Sequence, residues 1–225
     1  MATISTPKVR KAPFYIESDG KPMGETQEHI LNMRYILEPL DQWFASDLMV
    51  FVAGNMFVHY EQGKGNRHLS PDVFVVRGVP KEPKRRNYRV WEEGRAPDFV
   101  IEVTSKSTRK EDQTTKRTIY QDILKVSEYF LFDPFEEYLH PRFQGYRLVG
   151  GSYRPIKPIR GRLPSKVLGL HLEAVGELLR LYDPSTDRWL ETPPEVAEAR
   201  QRAEAEVERL RGEIEELRRR LPGAS

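Results

Sequence analysis

Pro97-Asp98-Phe99-Val100-Ile101-Glu102-Val103-Thr104 is the stretch whose reading decides the fold. Its β-branched residues predict a strand over Asp98–Thr104, the strongest strand signal in the chain. Ser105-Lys106-Ser107-Thr108 then offers N-cap chemistry for a helix over about Arg109–Lys125. Glu128–Phe132 is the next strand, stopped by Asp133-Pro134. Strand, helix and strand inside some 35 residues form a crossover unit, so the two strands are expected as parallel neighbours in one sheet.

Upstream, Ile30, Met33, Ile36, Leu37 and Leu40 recur at helical spacing, which predicts a core-facing helix from about Glu25. Leu48–Tyr60 reads as one long strand or as two pieces broken at Gly54-Asn55, and Ser70-Pro71 introduces a strand over Asp72–Val76. Downstream, Gly150-Gly151 marks a hairpin and Asp183-Pro184-Ser185-Thr186 a second turn. The expected organisation is an arm over 1–24, a folded domain over 25–192 and a solvated helix over 195–221.

Composition narrows the classes. In 225 residues, 36 Lys or Arg offset 34 Asp or Glu, so overall charge makes no case for a nucleic-acid partner and any basic surface must be local. The 38% of hydrophobic residues suffices for a packed core. With no cysteine, disulfide scaffolds, Cys-ligated zinc and thiol nucleophiles are all excluded. The longest apolar run, Leu48–Ala53, is far too short to span a membrane, and Met1–Tyr15 lacks the apolar segment of a signal peptide. The expected location is the cytoplasm, with no membrane partner. Gly63-Lys64-Gly65-Asn66 lacks the spacing and the Ser or Thr of a phosphate loop and is read as a turn.

Strand alternation puts Asp98, Val100, Glu102 and Thr104 on one face. Glu102 is thus a carboxylate inside an otherwise apolar strand, and buried charge is costly unless it is paired or binds a metal. Asp98 lies about 13 Å along the strand, too far to share an ion, whereas a neighbouring strand is only about 4.8 Å away. Asp72 opens such a strand, so Asp72 and Glu102 can converge across the ladder. The plainer alternative is that both carboxylates are hydrogen-bonded to backbone near strand ends. Asp112, Lys116 and Tyr120 stand four apart on one helix face, with Ile119, Ile123 and Leu124 as apolar residues for burial. A Lys on that face needs an anionic partner, which the sheet carboxylates would supply; an exposed Asp112–Lys116 pair is the alternative.

At these residues the chain resembles the Uma-two family of endonucleases, placed in the restriction-endonuclease-like PD-(D/E)XK superfamily. Ser70-Pro71-Asp72, Pro97 to Val103, Ser105-Lys106-Ser107, Lys116 to Tyr120 and Glu128-Tyr129 to Asp133-Pro134 carry the likeness. It runs from about Met23 to Leu190 and includes Gly54-Asn55-Met56-Phe57 and Val90-Trp91-Glu92-Glu93-Gly94. The fold it implies is α/β, a mixed sheet flanked by helices, here with an added C-terminal coiled-coil helix. By resemblance, Asp72 and Glu102 take the places of the two metal-binding acids and hold Mg²⁺ or Mn²⁺ together with the Val103 carbonyl. Thr104 departs from the superfamily pattern, standing where a Lys would follow the second acid; in this family that Lys resembles one moved to the next helix, here Lys116. The implied activity is metal-dependent hydrolysis of DNA phosphodiesters, with Lys116 orienting water or stabilising charge. Glu25 or Glu28, with His29 nearby, and Asp98 and Tyr120 are accessory candidates. A non-catalytic nuclease-fold module for nucleic-acid or partner binding is the alternative.

Two further expectations concern partners. Arg77–Arg95 holds seven basic residues against three Glu. Lys84, Arg85 and Arg86 at its centre are candidate DNA-phosphate contacts, a solvated loop being the equal alternative. In the C-terminal helix, Val196, Ala203, Leu210 and Leu217 alternate with Val207, Ile214 and Leu221 at heptad spacing, which predicts a parallel homodimer, the alternative being a single helix folded back on its own domain or a frayed tail.

Overall fold

The computed structural model describes residues 15, 26–105 and 108–220. Helix α1 (Gln27–Trp43) leads to β1 (Val50–Ala53), the short β2 (Val58–His59) and β3 (His68–Leu69), and β4 (Val73–Arg77). Then come β5 (Tyr88–Arg89), a helical turn α2 (Val90–Glu93) and β6 (Phe99–Val103). The crossover starts as α3 (Arg109–Glu111) and continues without a break through π-helical turns at Asp112–Lys116 and Ile119–Ile123. The strands β7 (Glu128–Phe132), β8 (Phe143–Val149), β9 (Ser152–Pro155), β10 (Leu163–Pro164), β11 (His171–Val175), β12 (Leu178–Asp183) and β13 (Arg188–Trp189) precede α4 (Pro193–Arg220). Glu25, Lys106, Ser107 and Leu221, named above for the site, the resemblance or the heptads, lie outside the described residues, as does most of the 1–24 segment.

The main sheet has the order β1-β4-β6-β7-β8-β9. β6 and β7 pair in parallel, as the crossover requires, and every other pairing in this sheet is antiparallel. All five residues of β6 and all five of β7 are buried, because both faces of the sheet are covered. Phe99, Ile101 and Val103 join a core with Ile36 and Leu40 of α1 and Leu172, Leu179 and Leu181 of the β10–β13 sheet. Val100 joins the opposite core with Tyr120, Leu124 and Tyr129. Asn32 fastens α1 across the first core: its side-chain amide donates to the Glu177 carbonyl at 2.9 Å and accepts from the Leu179 amide at 3.2 Å.

Several expectations are adjusted. Of the two readings of Leu48–Tyr60, the two-piece one holds, with β1 and β2 parted at Gly54-Asn55. The crossover helix buries Leu124, whereas Ile123 is 55% exposed. α4 begins at Pro193, since Thr192 and Glu195 form a capping box ahead of it. The Glu195 carboxylate accepts from the Thr192 amide at 2.7 Å, and the Thr192 hydroxyl accepts from the Glu195 amide at 3.4 Å. Pro193 stands at the first helical position, where its missing N–H costs nothing.

Candidate active site

The antiparallel register sets Val73 opposite Ile101, so Asp72, one residue before β4, faces Glu102. Three neighbours fix Asp72. Its Oδ2 accepts the Val103 amide at 2.6 Å, its own amide points to Glu102 Oε2 at 3.4 Å, and its Oδ1 lies 3.2 Å from His29 Nε2. His29 is delivered by the first turn of α1, where the Thr26 hydroxyl caps the His29 amide at 3.3 Å. The backbone of Asp72 is gripped as well. Asn55, in the left-handed region at φ 51°, donates its amide to the carbonyls of Pro71 and Asp72 at 3.0 and 3.2 Å. A Cβ on Gly54 would sit 2.5 Å from the Asp72 carbonyl oxygen, so only glycine allows this approach.

Glu102 is 1% exposed and both its oxygens are engaged. Oε2 accepts from the Lys116 ammonium at 3.0 Å and Oε1 from the Tyr120 hydroxyl at 2.7 Å. Lys116 also lies 2.9 Å from Asp112 Oδ1, and among the described residues neither oxygen of the buried Asp112 has a hydrogen bond of good geometry. The Tyr129 hydroxyl donates to the Asp112 carbonyl at 2.9 Å, tying the helix to β7. The two π-helical turns contain Asp112, Lys116 and Tyr120, and insertions of this kind recur at functional sites. The pairing of Lys116 with the strand carboxylate, rather than an exposed Asp112–Lys116 pair, is what the structure shows.

Electrostatically the cluster has too many acids. Asp72, Glu102 and Asp112 surround the Lys116 ammonium. Burial pushes the Glu102 carboxyl up to about 8; Lys116 opposes that shift while Asp72 and Asp112 reinforce it. Burial raises Asp112 likewise. Burial would strip Lys116 of its proton, but Glu102, Asp112 and Asp72 outweigh it and hold the ammonium charged well above the ordinary lysine range. Among the described residues no three His, Asp or Glu side chains form a ready-made ligand set. The donors nevertheless fit a hard divalent cation, because one or two carboxylates with water and phosphate oxygens are what Mg²⁺ takes. An added cation would also compensate the charge that Glu102 and Asp112 take on when they ionise.

The other candidates lie elsewhere. Asp98, at the opposite end of β6, accepts the Arg77 amide at 2.8 Å and stands 3.6 Å from Arg95. Arg85 does not offer its guanidinium to a phosphate. It grips Glu93 through Nε and Nη2 at 2.6 and 2.9 Å, donates to the Lys81 and Pro83 carbonyls, and covers the Phe51 ring. Lys84 and Arg86 stand on either side of it, both exposed. Glu128, a buried acid of β7, serves the fold: it pairs with Arg147 and receives Ser165 and the Lys166 amide. Thr104 is buried, and its hydroxyl finds no partner among the described residues.

The family model described as "Uma2: Putative restriction endonuclease" matches residues 17–175. The chain belongs to this family. A solved structure described as that of a "putative nuclease belonging to DUF820", from Anabaena variabilis ATCC 29413, superposes with a TM-score of 0.51 at 15% identity, covering 67% of this chain and 79% of that one. That likeness is one of fold. No curated protein matches the chain. Within the Uma2 family, then, the chain carries the restriction-endonuclease-like fold, and its acid cluster occupies one end of the antiparallel β4–β6 pair inside the sheet. His29 and Asp112 are the site residues to which sequence reasoning gives no definite role. Asp112 shares the Lys116 helix face, which is the signal that could have found it; His29 reaches Asp72 only through tertiary packing.

Proposed function

We propose that the chain is a metal-dependent endonuclease acting on DNA in the cytoplasm, with Asp72, Glu102 and Lys116 at its centre. The observation that carries this reading is the surplus of carboxylates around Lys116 where the inner strands β4 and β6 meet. Asp72 and Glu102, with the Val103 carbonyl, would hold Mg²⁺ or Mn²⁺. When bound, such an ion acidifies a water and offsets charge on the scissile phosphate. Lys116 keeps its proton and presents a fixed cation toward a phosphate oxygen, filling the role for which Thr104 has no charge. Tyr120 holds Glu102 in one rotamer, His29 orients Asp72, and Asp112 restrains Lys116. Lys84 and Arg86 are the phosphate contacts that we retain from the basic segment.

Plasmid nicking with Mg²⁺ or Mn²⁺ tests the reading. The wild type should nick, and Asp72→Ala and Lys116→Ala should each lose on the order of a hundredfold or more in rate. DNA binding without nicking under every metal condition would instead identify a nuclease fold retained as a binding module. The closed Glu102, with both oxygens already satisfied, is the feature that favours that second reading.

A further inference from the structure

The C-terminal helix is exposed along its whole length beyond its first turns, yet its surface is not uniformly polar. Val207, Leu210, Ile214 and Leu217 are 43 to 57% exposed and follow one another at spacings of three, four and three. With Val207 and Ile214 at a and Leu210 and Leu217 at d, they form one seam, which Ala203 and Val196 extend toward the folded body. The mid-helix Gly212 falls at the outward f position, where it weakens the isolated helix without touching the seam.

We propose that the occupant of this seam is the same helix of a second copy, in parallel orientation. Two properties of the helix select it. β-branched residues at a with Leu at d are the combination that favours two parallel strands. The flanks are also complementary: Glu206 and Glu213 occupy g and Arg211 and Arg218 occupy e, so each Glu faces an Arg of a parallel partner. An antiparallel partner aligned over the whole seam would set Glu206 against Glu213 and keep only the pairing of Glu204, at e, with Arg211. In the single chain Glu206 and Glu213 share the one guanidinium of Arg209, and these exposed pairs are weak enough to exchange for a partner's arginines. Arg211 is held only loosely, 3.9 Å from Glu208. Arg200 at the remaining a position places one polar residue in the seam, a device that sets register at some cost in stability.

Light scattering or sedimentation of the full chain at micromolar concentration should give about twice the 26.2 kDa chain mass. Leu210→Glu with Ile214→Glu should return the mass of one chain while the melting of the folded body is unchanged, since both residues are exposed in the single chain. Gly212→Ala should remain dimeric. Because the chain has no cysteine, Leu217→Cys tests orientation: oxidation should link two chains at this shared d position. A monomeric wild type, a dimer that survives the double Glu variant, or Leu217→Cys that fails to cross-link would each overturn the proposal. None of these measurements depends on nuclease activity.

Discussion

Glu102 is where residue chemistry and fold stability pull apart. A carboxyl in the middle of a central strand gains nothing for packing, and burial pushes it up to about 8 despite Lys116. A cation held by Asp72 and Glu102 would favour the folded state by linkage, about 2.7 kcal/mol at a hundredfold excess over its dissociation constant. For a chain of this size that corresponds to a rise in Tm of roughly 5 to 10 °C. We expect Mn²⁺ to produce such a rise in the wild type and not in Glu102→Gln, which keeps the shape and removes the charge. Differential scanning fluorimetry with and without Mn²⁺ reads this directly, and an equal response in both proteins would remove Glu102 from the site. Gly54 makes a second residue-scale prediction. Adding a methyl group 2.5 Å from the Asp72 carbonyl forces the backbone apart. Gly54→Ala should therefore cost about 1 to 3 kcal/mol, the range of an overpacked core, and also blunt the Mn²⁺ response. A destabilised protein with a full Mn²⁺ response would show that the close approach serves packing alone.

At the scale of elements, the segment around β5 holds Arg85, which builds the fold, beside the exposed Lys84 and Arg86, which we propose as phosphate contacts. Arg85 is nearly enclosed between Glu93 and Phe51, so Arg85→Ala should cost about 2 kcal/mol, between an exposed pair and a fully buried one. Lys84→Ala with Arg86→Ala should cost less, about 1 kcal/mol at most, since both side chains are exposed and contacts at the surface contribute little. If these two meet phosphates, the double variant should flatten the log–log salt dependence of DNA binding by roughly one for each phosphate left without its cation. Chemical denaturation and salt-titrated DNA binding separate the two classes; an unchanged slope would leave Lys84 and Arg86 as solvated loop residues. This division is not legible in the sequence, because Arg85 and Glu93 meet across a loop whose path no periodicity records. The crossover is legible. A β-branched run, a cap and a second apolar strand dictate parallel β6 and β7, and the period of two then puts Asp72 across from Glu102. His29 is visible only as a neighbour of Glu28, since it reaches Asp72 through the packing of α1 on the sheet. The π-helical turns are hidden for a similar reason: nothing in the side-chain pattern from Arg109 to Lys125 distinguishes them from α-helix, and contact with the sheet decides them. The short strand β10 escapes a sequence reading because its two residues, Leu163 and Pro164, leave too little alternation.

At the scale of the whole molecule, two proposals combine into one geometric consequence. A parallel coiled coil at the C-terminus keeps both folded bodies at the same end of the zipper, one acid cluster in each. Two sites related by one twofold axis match the two strands of a duplex, so a single encounter can cut both. Subunit mixing distinguishes this from independent action. Wild type and Lys116→Ala, allowed to exchange subunits in equal amounts, should leave about one quarter of the dimers with two competent sites, as random pairing in a twofold dimer requires. Nicked plasmid formed early should then fall in step with the wild-type fraction, while linear plasmid formed in a single encounter should fall with its square. The Leu210→Glu, Ile214→Glu variant supplies the comparison: as a monomer it should nick and form linear product only through a second, independent event. Linear product that follows the wild-type fraction itself, with or without an intact seam, would mean that each chain cuts alone and that the helix pairs the chains for another purpose.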